Sequence, residues 1–135
     1  MILVDTGCLL ALLDRKDSMH DRARAWAAFD SDKLLVTEFV LLETVNFCSK
    51  SSRRAKAHVL VNHVLSSPGF EVIEATTELL RAGLVRHARH TDKEWSLTDC
   101  ISFTVMEERQ LTRALAHDHH FEQAGFEALL RRDPV

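Results

Sequence analysis

Short apolar runs alternate along the chain with longer segments whose apolar residues recur at helical spacing. The short runs predict four buried strands and a weaker fifth one, over residues 2–4, 34–36, 70–73, 113–117 and 128–130. The periodic segments predict helices over residues 18–29, 38–49, 54–65, 77–90 and 96–108. Strands that alternate with helices are typical of an α/β domain with a mainly parallel sheet.

Length and composition indicate one ordinary globular domain. The chain has 135 residues, which is close to the commonest domain size, so we expect a single domain over 1–135. A hydrophobic fraction of 46% and a charged fraction of 27% are usual for a soluble protein. The net charge of −3 argues against a general nucleic-acid coat protein but is compatible with an enzyme that acts on RNA.

The cysteines and the amino terminus bear on the compartment. Cys8, Cys48 and Cys100 all stand in apolar stretches without metal-type spacing, so we expect buried thiols in a reducing, cytoplasmic environment. No apolar run reaches the roughly 18 residues of a membrane span. Residues 1–4 lead directly to an acid without a basic leader, so we expect no secretory signal.

Four acidic residues occupy positions where a purely structural acid would be a poor choice. Asp5 follows the apolar run 1–4, and Glu43 lies inside an apolar helical stretch. Asp99 opens an apolar helix, and Asp118 follows the last long strand. A carboxylate in apolar surroundings is costly unless it is paired or bound to a metal. The set therefore indicates a hard-metal site and the hydrolysis of a phosphate ester.

The predicted topology brings these acids to one edge of the sheet. Ligands of parallel sheets collect outside the carboxyl ends of the strands, where Asp5 and Asp118 both stand. Asp99 lies in the first turn of a helix that we expect to begin near the same edge. Glu43 belongs to a helix face that we expect to point at the sheet, together with Phe39, Val40, Asn46 and Phe47.

Each acid also has a plainer interpretation. Asp5 and Asp118 are acceptable loop residues after strands, and Ser96 with Asp99 fits a helix capping box. The coincidence of all four favours a functional site. Three histidines flank or neighbour Asp118, but they lack a second ligand pair at zinc spacing, so we do not expect zinc. Arg86, Arg89 and Lys93 precede Asp99 and are candidates for contacts with substrate phosphates.

The order and spacing of these residues resemble the PIN-domain ribonucleases, and most closely the VapC-type toxins of toxin–antitoxin pairs. The resemblance covers essentially the whole chain, and its matching segments are Val4-Asp5-Thr6, Glu43, Ser96-Leu97-Thr98-Asp99, Asp118-His119-His120-Phe121 and Gly125-Phe126. It implies a three-layer α/β/α fold with a mainly parallel central sheet of about five strands. It also implies an endoribonuclease that uses Mg²⁺ or Mn²⁺, forms a homodimer and is inhibited by a small VapB-like antitoxin.

The resemblance also assigns roles. The family's acids map onto Asp5, Glu43, Asp99 and Asp118, and its hydroxyls map onto Thr6 and onto Ser96 or Thr98. We expect Asp5, Asp99 and Asp118 to hold one metal ion. Oxygen ligands favour Mg²⁺ or Mn²⁺ over zinc, so we expect the ion to be one of these two. Glu43 would complete a second site or orient the attacking water. The hydroxyl groups would orient these ligands.

Three other protein classes share parts of this pattern. A phosphoacceptor receiver domain needs a lysine after a late strand, and none follows residues 113–117. A haloacid-dehalogenase-like phosphatase needs a second aspartate two residues after Asp5, where Gly7 stands. A catalytically inactive PIN-like module that binds RNA or protein remains open. The apolar stripe of the helix over 54–65 is either a contact for a partner or a face that packs on the sheet.

Overall fold

A parallel sheet forms the centre of the fold. The computed structural model describes residues 1–29, 32–50 and 52–134. Its strands are β1 (Ile2–Val4), β2 (Leu34–Thr37), β3 (Phe70–Ile73), β4 (Arg113–Leu115) and β5 (Glu127–Ala128). They lie in the order β3-β2-β1-β4-β5, and every neighbouring pair is parallel. The predicted sheet of about five mainly parallel strands is confirmed.

Helices connect the strands. They are α1 (Thr6–Leu13), α2 (His20–Phe29), α3 (Glu38–Phe47), α4 (Arg54–Ser66), α5 (Thr77–Arg89), α6 (Leu97–Glu108) and α7 (His119–Gln123). A 3₁₀ helix at Leu129–Arg131 follows the last strand. Within the described residues, no helix is both long enough and apolar enough to span a membrane.

The alternation of side chains along β1 explains the three layers. Ile2 and Val4 pack into a core with α1, α2, α3 and α4, whereas Leu3 packs into a second core with α5, α6 and α7. Successive side chains of a strand point to opposite faces, so both faces of this apolar strand need a helical cover. The α/β/α layering implied by the resemblance is therefore present.

Helix α6 is the most deeply buried helix of the second layer. All seven residues from Cys100 to Met106 are buried. A Cβ atom added at Gly83 of α5 would collide with the side chain of Ile101, so this glycine lets α5 and α6 approach closely. This packing fixes the amino-terminal end of α6, which carries one of the candidate acids.

Several element boundaries differ from those predicted. Strand β4 ends at Leu115 and not at residue 117, and the 128–130 strand is replaced by β5 and the 3₁₀ helix. Helices α1 and α7 were not predicted from the pattern. The segment of α1 is apolar on nearly every side, and α7 has only 5 residues, so neither shows a helical period.

The stripe of α4 packs mainly on the sheet. Ala57 and Val64 are buried, and Leu60 and Val61 pack against the first core, whereas Leu65 is 54% exposed. The plainer interpretation of this stripe therefore holds for most of its residues. The three cysteines are buried, as predicted.

Candidate functional site

The four acids line one cavity at the carboxyl edge of the sheet. Asp5 connects β1 to α1 and Asp118 connects β4 to α7, each as the residue that precedes its helix. Asp99 lies in the first turn of α6, and Glu43 lies in the middle of α3. The cavity has a volume of about 760 Å³, and Thr6 and Ser96 also line it. The predicted convergence of the acids is therefore present.

Local hydrogen bonds orient two of these acids. Ser96 Oγ accepts a hydrogen bond of 3.0 Å from the Asp99 N–H, and Asp99 Oδ2 accepts one of 3.1 Å from the Ser96 N–H. Asp118 Oδ1 accepts one of 3.0 Å from the His120 N–H. The capping box predicted as the plainer interpretation of Asp99 is thus present, and it fixes this carboxylate at the cavity wall.

Burial and neighbouring negative charge raise the pKa of Asp5. This residue is only 8% exposed. Burial is the largest cause, and the charges of Asp99, Glu43 and Asp118 add to it, so that the Asp5 pKa rises from 3.8 to about 7. A hydrogen bond from the Thr6 backbone N–H opposes this shift. Burial and like charge therefore dominate the environment of this carboxylate.

Burial also raises the pKa of Asp99, although two groups oppose this effect. The Ser96 N–H donates to its carboxylate, and His120 provides a hydrogen bond and positive charge when protonated. The ring Nδ1 of His120 lies 3.0 Å from Asp99 Oδ2 and 3.3 Å from Asp118 Oδ2. This imidazole therefore bridges two acids that come from different parts of the chain.

Three observations indicate that the cavity fits a divalent cation. Its four carboxylates supply the oxygen ligands that Mg²⁺ and Mn²⁺ prefer. The Thr6 hydroxyl oxygen is buried and has no hydrogen-bond partner among the described residues. Burial first, and then the neighbouring carboxylates, raise the Asp5 pKa to about 7, so an ionised Asp5 is costly here unless a counter-ion is bound. A cation bound here would offset the negative charge of the carboxylates and give the buried Thr6 oxygen a partner.

The histidines next to Asp118 form a smaller group at the rim. Ligand atoms of Asp118, His119 and His120 lie within 4.8 Å of one another, which is close enough for one metal ion. The side chain of His120 is 14% exposed, whereas that of His119 is 63% exposed. Because the Nδ1 atom of His120 already contacts two carboxylates, we assign this ring to positioning the acids.

The environment of Glu43 differs from the predicted one. Helix α3 buries Val40, Leu41 and Thr44, while Glu43 is half-buried at the cavity rim. Phe47, expected on a face that points at the sheet, is 67% exposed. The predicted face was right for Val40, which is buried, and wrong for Asn46 and Phe47, which are exposed, because the sheet takes the stripe beside Glu43. Glu43 still lines the acidic cavity.

The basic residues suggested for phosphate contacts lie elsewhere. Arg86 donates to Thr104 Oγ1 at 3.3 Å and pairs with Glu107 at 2.6 Å, between α5 and α6. Arg89 lines the same separate cavity as Arg86. Lys93 pairs with Asp92 at 2.9 Å, and it does not line the acidic cavity. The structure therefore does not bring Arg86, Arg89 or Lys93 to the four acids.

The two candidates for the hydroxyl before the third acid, Ser96 and Thr98, line different cavities. Ser96 lines the acidic cavity, whereas Thr98 lines an adjoining pocket with Phe39 and Asn46. Of the two, only Ser96 lies at the cavity that the four acids line. Thr98 is available for another role.

Sequence reasoning missed one basic residue of the cavity. Arg131 lines it from the 3₁₀ helix, and its Nη1 donates to the His117 carbonyl oxygen at 3.1 Å. Its Nε also pairs with Glu122 at 3.0 Å. A backbone hydrogen bond of 3.1 Å from Leu130 to Ala116 brings this carboxy-terminal segment back to the cavity. No local sequence pattern predicts such a return.

Comparison with known proteins gives consistent results. The 23S rRNA-specific endonuclease VapC20 of Mycobacterium tuberculosis is 29% identical over 126 residues, which is 93% of this chain and 95% of that protein. The same sequence match is found for VapC20 of two strains. This similarity supports the function of a PIN-domain ribonuclease toxin over that of an inactive binding module.

Solved structures share the fold. The crystal structure of M. tuberculosis VapC20, described as a toxin that cleaves the sarcin–ricin loop, superimposes with a TM-score of 0.83 at 29% identity, covering 93% of this chain and 96% of VapC20. FitAcB from Neisseria gonorrhoeae superimposes with a TM-score of 0.67 at 19% identity, covering 95% and 96%. The family model of the PIN domain matches residues 2–127, so the chain belongs to the PIN domain family.

Proposed function

We propose that this chain is a metal-dependent endoribonuclease that hydrolyses RNA phosphodiester bonds as the toxin of a type II toxin–antitoxin pair. The observation that carries this proposal is the convergence of four carboxylates on one cavity. Similarity to a 23S rRNA-specific endonuclease supports the reaction class. No specific observation favours the inactive binding module.

Asp5, Asp99 and Asp118 would hold one Mg²⁺ or Mn²⁺ ion. Glu43, which reaches the cavity from α3, would complete a second site or orient the attacking water. Thr6 and Ser96 would position the ligands, since the Thr6 hydroxyl lacks another partner among the described residues and Ser96 binds Asp99. A bound divalent cation supplies electrostatic stabilisation to the charge that develops on the phosphate.

The protonation of Asp5 links metal binding to pH. Its raised pKa of about 7 means that the metal-free carboxyl group holds a proton for much of the time near neutrality. Metal ligands must be deprotonated, so cation binding displaces this proton. We expect metal affinity to increase as the pH rises from about 6 to about 8, across the Asp5 pKa.

Arg131 is a candidate for contact with a substrate phosphate. Among the residues that the structure describes, it is the one arginine or lysine that lines the acidic cavity. Its side chain is 44% exposed and is held by the His117 carbonyl group, so it can present a further N–H to an oxygen of RNA. This assignment replaces the more distant Arg86, Arg89 and Lys93.

We further propose two protein partners in the cytoplasm, a VapB-like antitoxin and a second copy of this chain. An arginine of the antitoxin would match the oxygens of two carboxylates and occupy the place of the cation. Leu84 and Val85 of α5, which are 46% and 50% exposed, offer apolar area for a contact between copies.

The ribonuclease proposal is tested with purified chain and ribosomal RNA. Millimolar Mg²⁺ or Mn²⁺ should produce discrete fragments, and a chelator should abolish them. Glu74 is an exposed carboxylate outside the acidic cavity, so Glu74→Gln is the matched control for Asp5→Asn. Intact RNA with the wild-type chain and both metals, or equal cleavage by Asp5→Asn, would refute the proposal.

A further inference from the structure

An apolar pocket opens directly beside the acidic cavity. It has a volume of about 350 Å³, and its apolar walls come from Phe39, Leu42 and Phe47. Glu43 and Phe47 line both this pocket and the acidic cavity, so the two spaces adjoin. The proposed mechanism does not use this pocket.

The walls of the pocket combine aromatic rings with hydrogen-bonding groups. Phe39 is half-buried and packs against the second core, so it gives the pocket a fixed wall. Phe47 is 67% exposed and Leu42 is 60% exposed, which leaves a large apolar surface in water. Asn46 and Thr98 add an amide and a hydroxyl group to the same pocket.

We infer that this pocket binds one unpaired nucleobase of the RNA, next to the phosphate that lies over the acids. The inference rests on the ribonuclease activity proposed above. Sequence-specific recognition of RNA uses unstacked bases that stack on aromatic side chains and form hydrogen bonds along their edges. Phe47 supplies a ring for stacking, and the Asn46 amide offers both a donor and an acceptor for a base edge.

The charge of the site favours a base over further phosphate contacts. Four carboxylates line the cavity, and one guanidinium group lines it among the described residues. Phosphate contacts usually dominate the affinity of nucleic-acid-binding proteins. A chain with a net charge of −3 therefore needs uncharged contacts to hold RNA at this edge. Stacking on an aromatic ring is such a contact and works without any cation.

The size and position of the pocket favour a base over a protein segment. It has less than half the volume of the acidic cavity, 350 Å³ against 760 Å³, and it shares Glu43 and Phe47 with that cavity. A helix of a partner protein needs a longer groove that accepts side chains from successive turns. A nucleobase is a single planar unit of the RNA strand that crosses the acids, so it needs only one such pocket.

The test couples a change in the protein to a change in the RNA. The cleaved bond is first mapped in ribosomal RNA, and a synthetic stem–loop containing it is then made with single abasic positions on either side. For wild-type chain, one abasic position should lower kcat/KM about tenfold or more, as loss of stacking predicts. Phe47→Ala should lower kcat/KM similarly, and the same abasic position should then have no further effect.

Two variants control this experiment. Phe47→Tyr retains an aromatic ring and should keep both the rate and the sensitivity to the missing base. Val59 of α4 is 71% exposed and lies outside both cavities, so Val59→Ala should behave as wild type. Because Phe47 is exposed, its replacement should leave the urea midpoint unchanged.

A binding measurement separates this inference from the nuclease proposal. The Asp5→Asn chain is mixed with a single-stranded RNA that carries the fluorescent base 2-aminopurine, and stacking should quench the fluorescence. Introducing Phe47→Ala as a second substitution in the Asp5→Asn chain should remove the quenching. If wild-type chain cuts no RNA, the nuclease proposal fails, and quenching alone decides whether the base pocket exists.

Three results would overturn the inference. The first is a Phe47→Ala chain with the wild-type rate and the wild-type response to every abasic position. The second is a Phe47→Ala chain whose solution mass changes while the coupling to the abasic position is absent. That second result would assign the face to a contact between copies of the chain. Absence of quenching in the binding measurement also counts against the pocket.

Discussion

Replacing Asp5 by asparagine should stabilise the metal-free protein at alkaline pH. The carboxyl pKa is 3.8 ordinarily and about 7 in the folded chain, so the folded state holds this proton more tightly than the unfolded state. Stability from this group is therefore complete below the unfolded pKa and is lost as the pH rises towards 7. The amide of the Asp5→Asn variant would carry no charge at any pH and would escape this loss.

The size of the effect follows from the two pKa values. Each pKa unit corresponds to about 1.4 kcal/mol, so ionising Asp5 in the folded chain costs about 4 kcal/mol at pH 8. The advantage of Asp5→Asn should fall below about 1 kcal/mol near pH 4, where the folded state keeps its proton and the unfolded state has begun to regain one. The Thr6 N–H that favours the carboxylate reduces the gain somewhat, since an amide oxygen is a weaker acceptor.

The assay is urea unfolding in the presence of a chelator, over a series of pH values. The quantity compared is the difference in free energy of unfolding between Asp5→Asn and wild type. Glu74→Gln removes an exposed carboxylate and should change stability by less than about 0.5 kcal/mol at every pH. A variant that is no more stable than wild type at pH 8 would refute the argument that burial and the neighbouring acids raise the Asp5 pKa.

Three further predictions concern the same site and surface. Ser96→Ala removes the cap of α6 and should lower the free energy of unfolding by about 1 kcal/mol in urea, whereas Ser66→Ala at the exposed end of α4 should not; equal midpoints would contradict the role of the cap. Mg²⁺ or Mn²⁺ should raise the melting temperature by mass action, and a chain lacking both the Asp5 and the Asp118 carboxylates should lose this rise; identical melts across millimolar metal would count against a preformed site. Light scattering should give a mass near twice 15.4 kDa, and a monomer at tens of micromolar would retire the homodimer while leaving the nuclease proposal intact.

The sequence pattern predicted most of the sheet because the strands β1, β2 and β3 are short, mainly apolar and followed by an acidic residue. Two acids at strand ends could be placed on one edge, since parallel strands share their carboxyl edge. Asp99 could be placed at the start of its helix by the capping pattern. The positions of these three acids follow from local sequence patterns together with one rule on the topology of parallel sheets.

The rest of the site depends on contacts between distant segments. The face of α3 was partly misassigned because Asn46 and Phe47 lie beside the stripe that the sheet buries, and both are exposed. Arg131 reaches the cavity through a return of the carboxy-terminal segment, and Arg86 is drawn to Glu107 across two helices. Periodicity fixes which residues share a helix face but not which of two similar faces a neighbour covers.

Asp99 has two compatible roles. Asp99 both caps α6 and lines the cavity, because the capping contact places its carboxylate at the carboxyl edge of the sheet. Asp99→Asn should therefore differ from Asp5→Asn in its effect on stability. An amide at this position would weaken the contacts with the Ser96 N–H and with His120, so we expect little or no gain in stability.

The most direct measurement is the single-turnover rate of RNA cleavage by Asp5→Asn, Glu43→Gln, Asp99→Asn and Asp118→Asn in millimolar Mg²⁺ or Mn²⁺. Each replacement removes one negative charge from the same cavity and keeps the shape of the side chain. We expect every variant to lose at least about a hundredfold in rate, on the scale of about 2.7 kcal/mol of lost transition-state stabilisation, while Glu74→Gln retains the wild-type rate. Wild-type cleavage by any of the four would remove that acid from the site, and wild-type cleavage by all four would contradict the account.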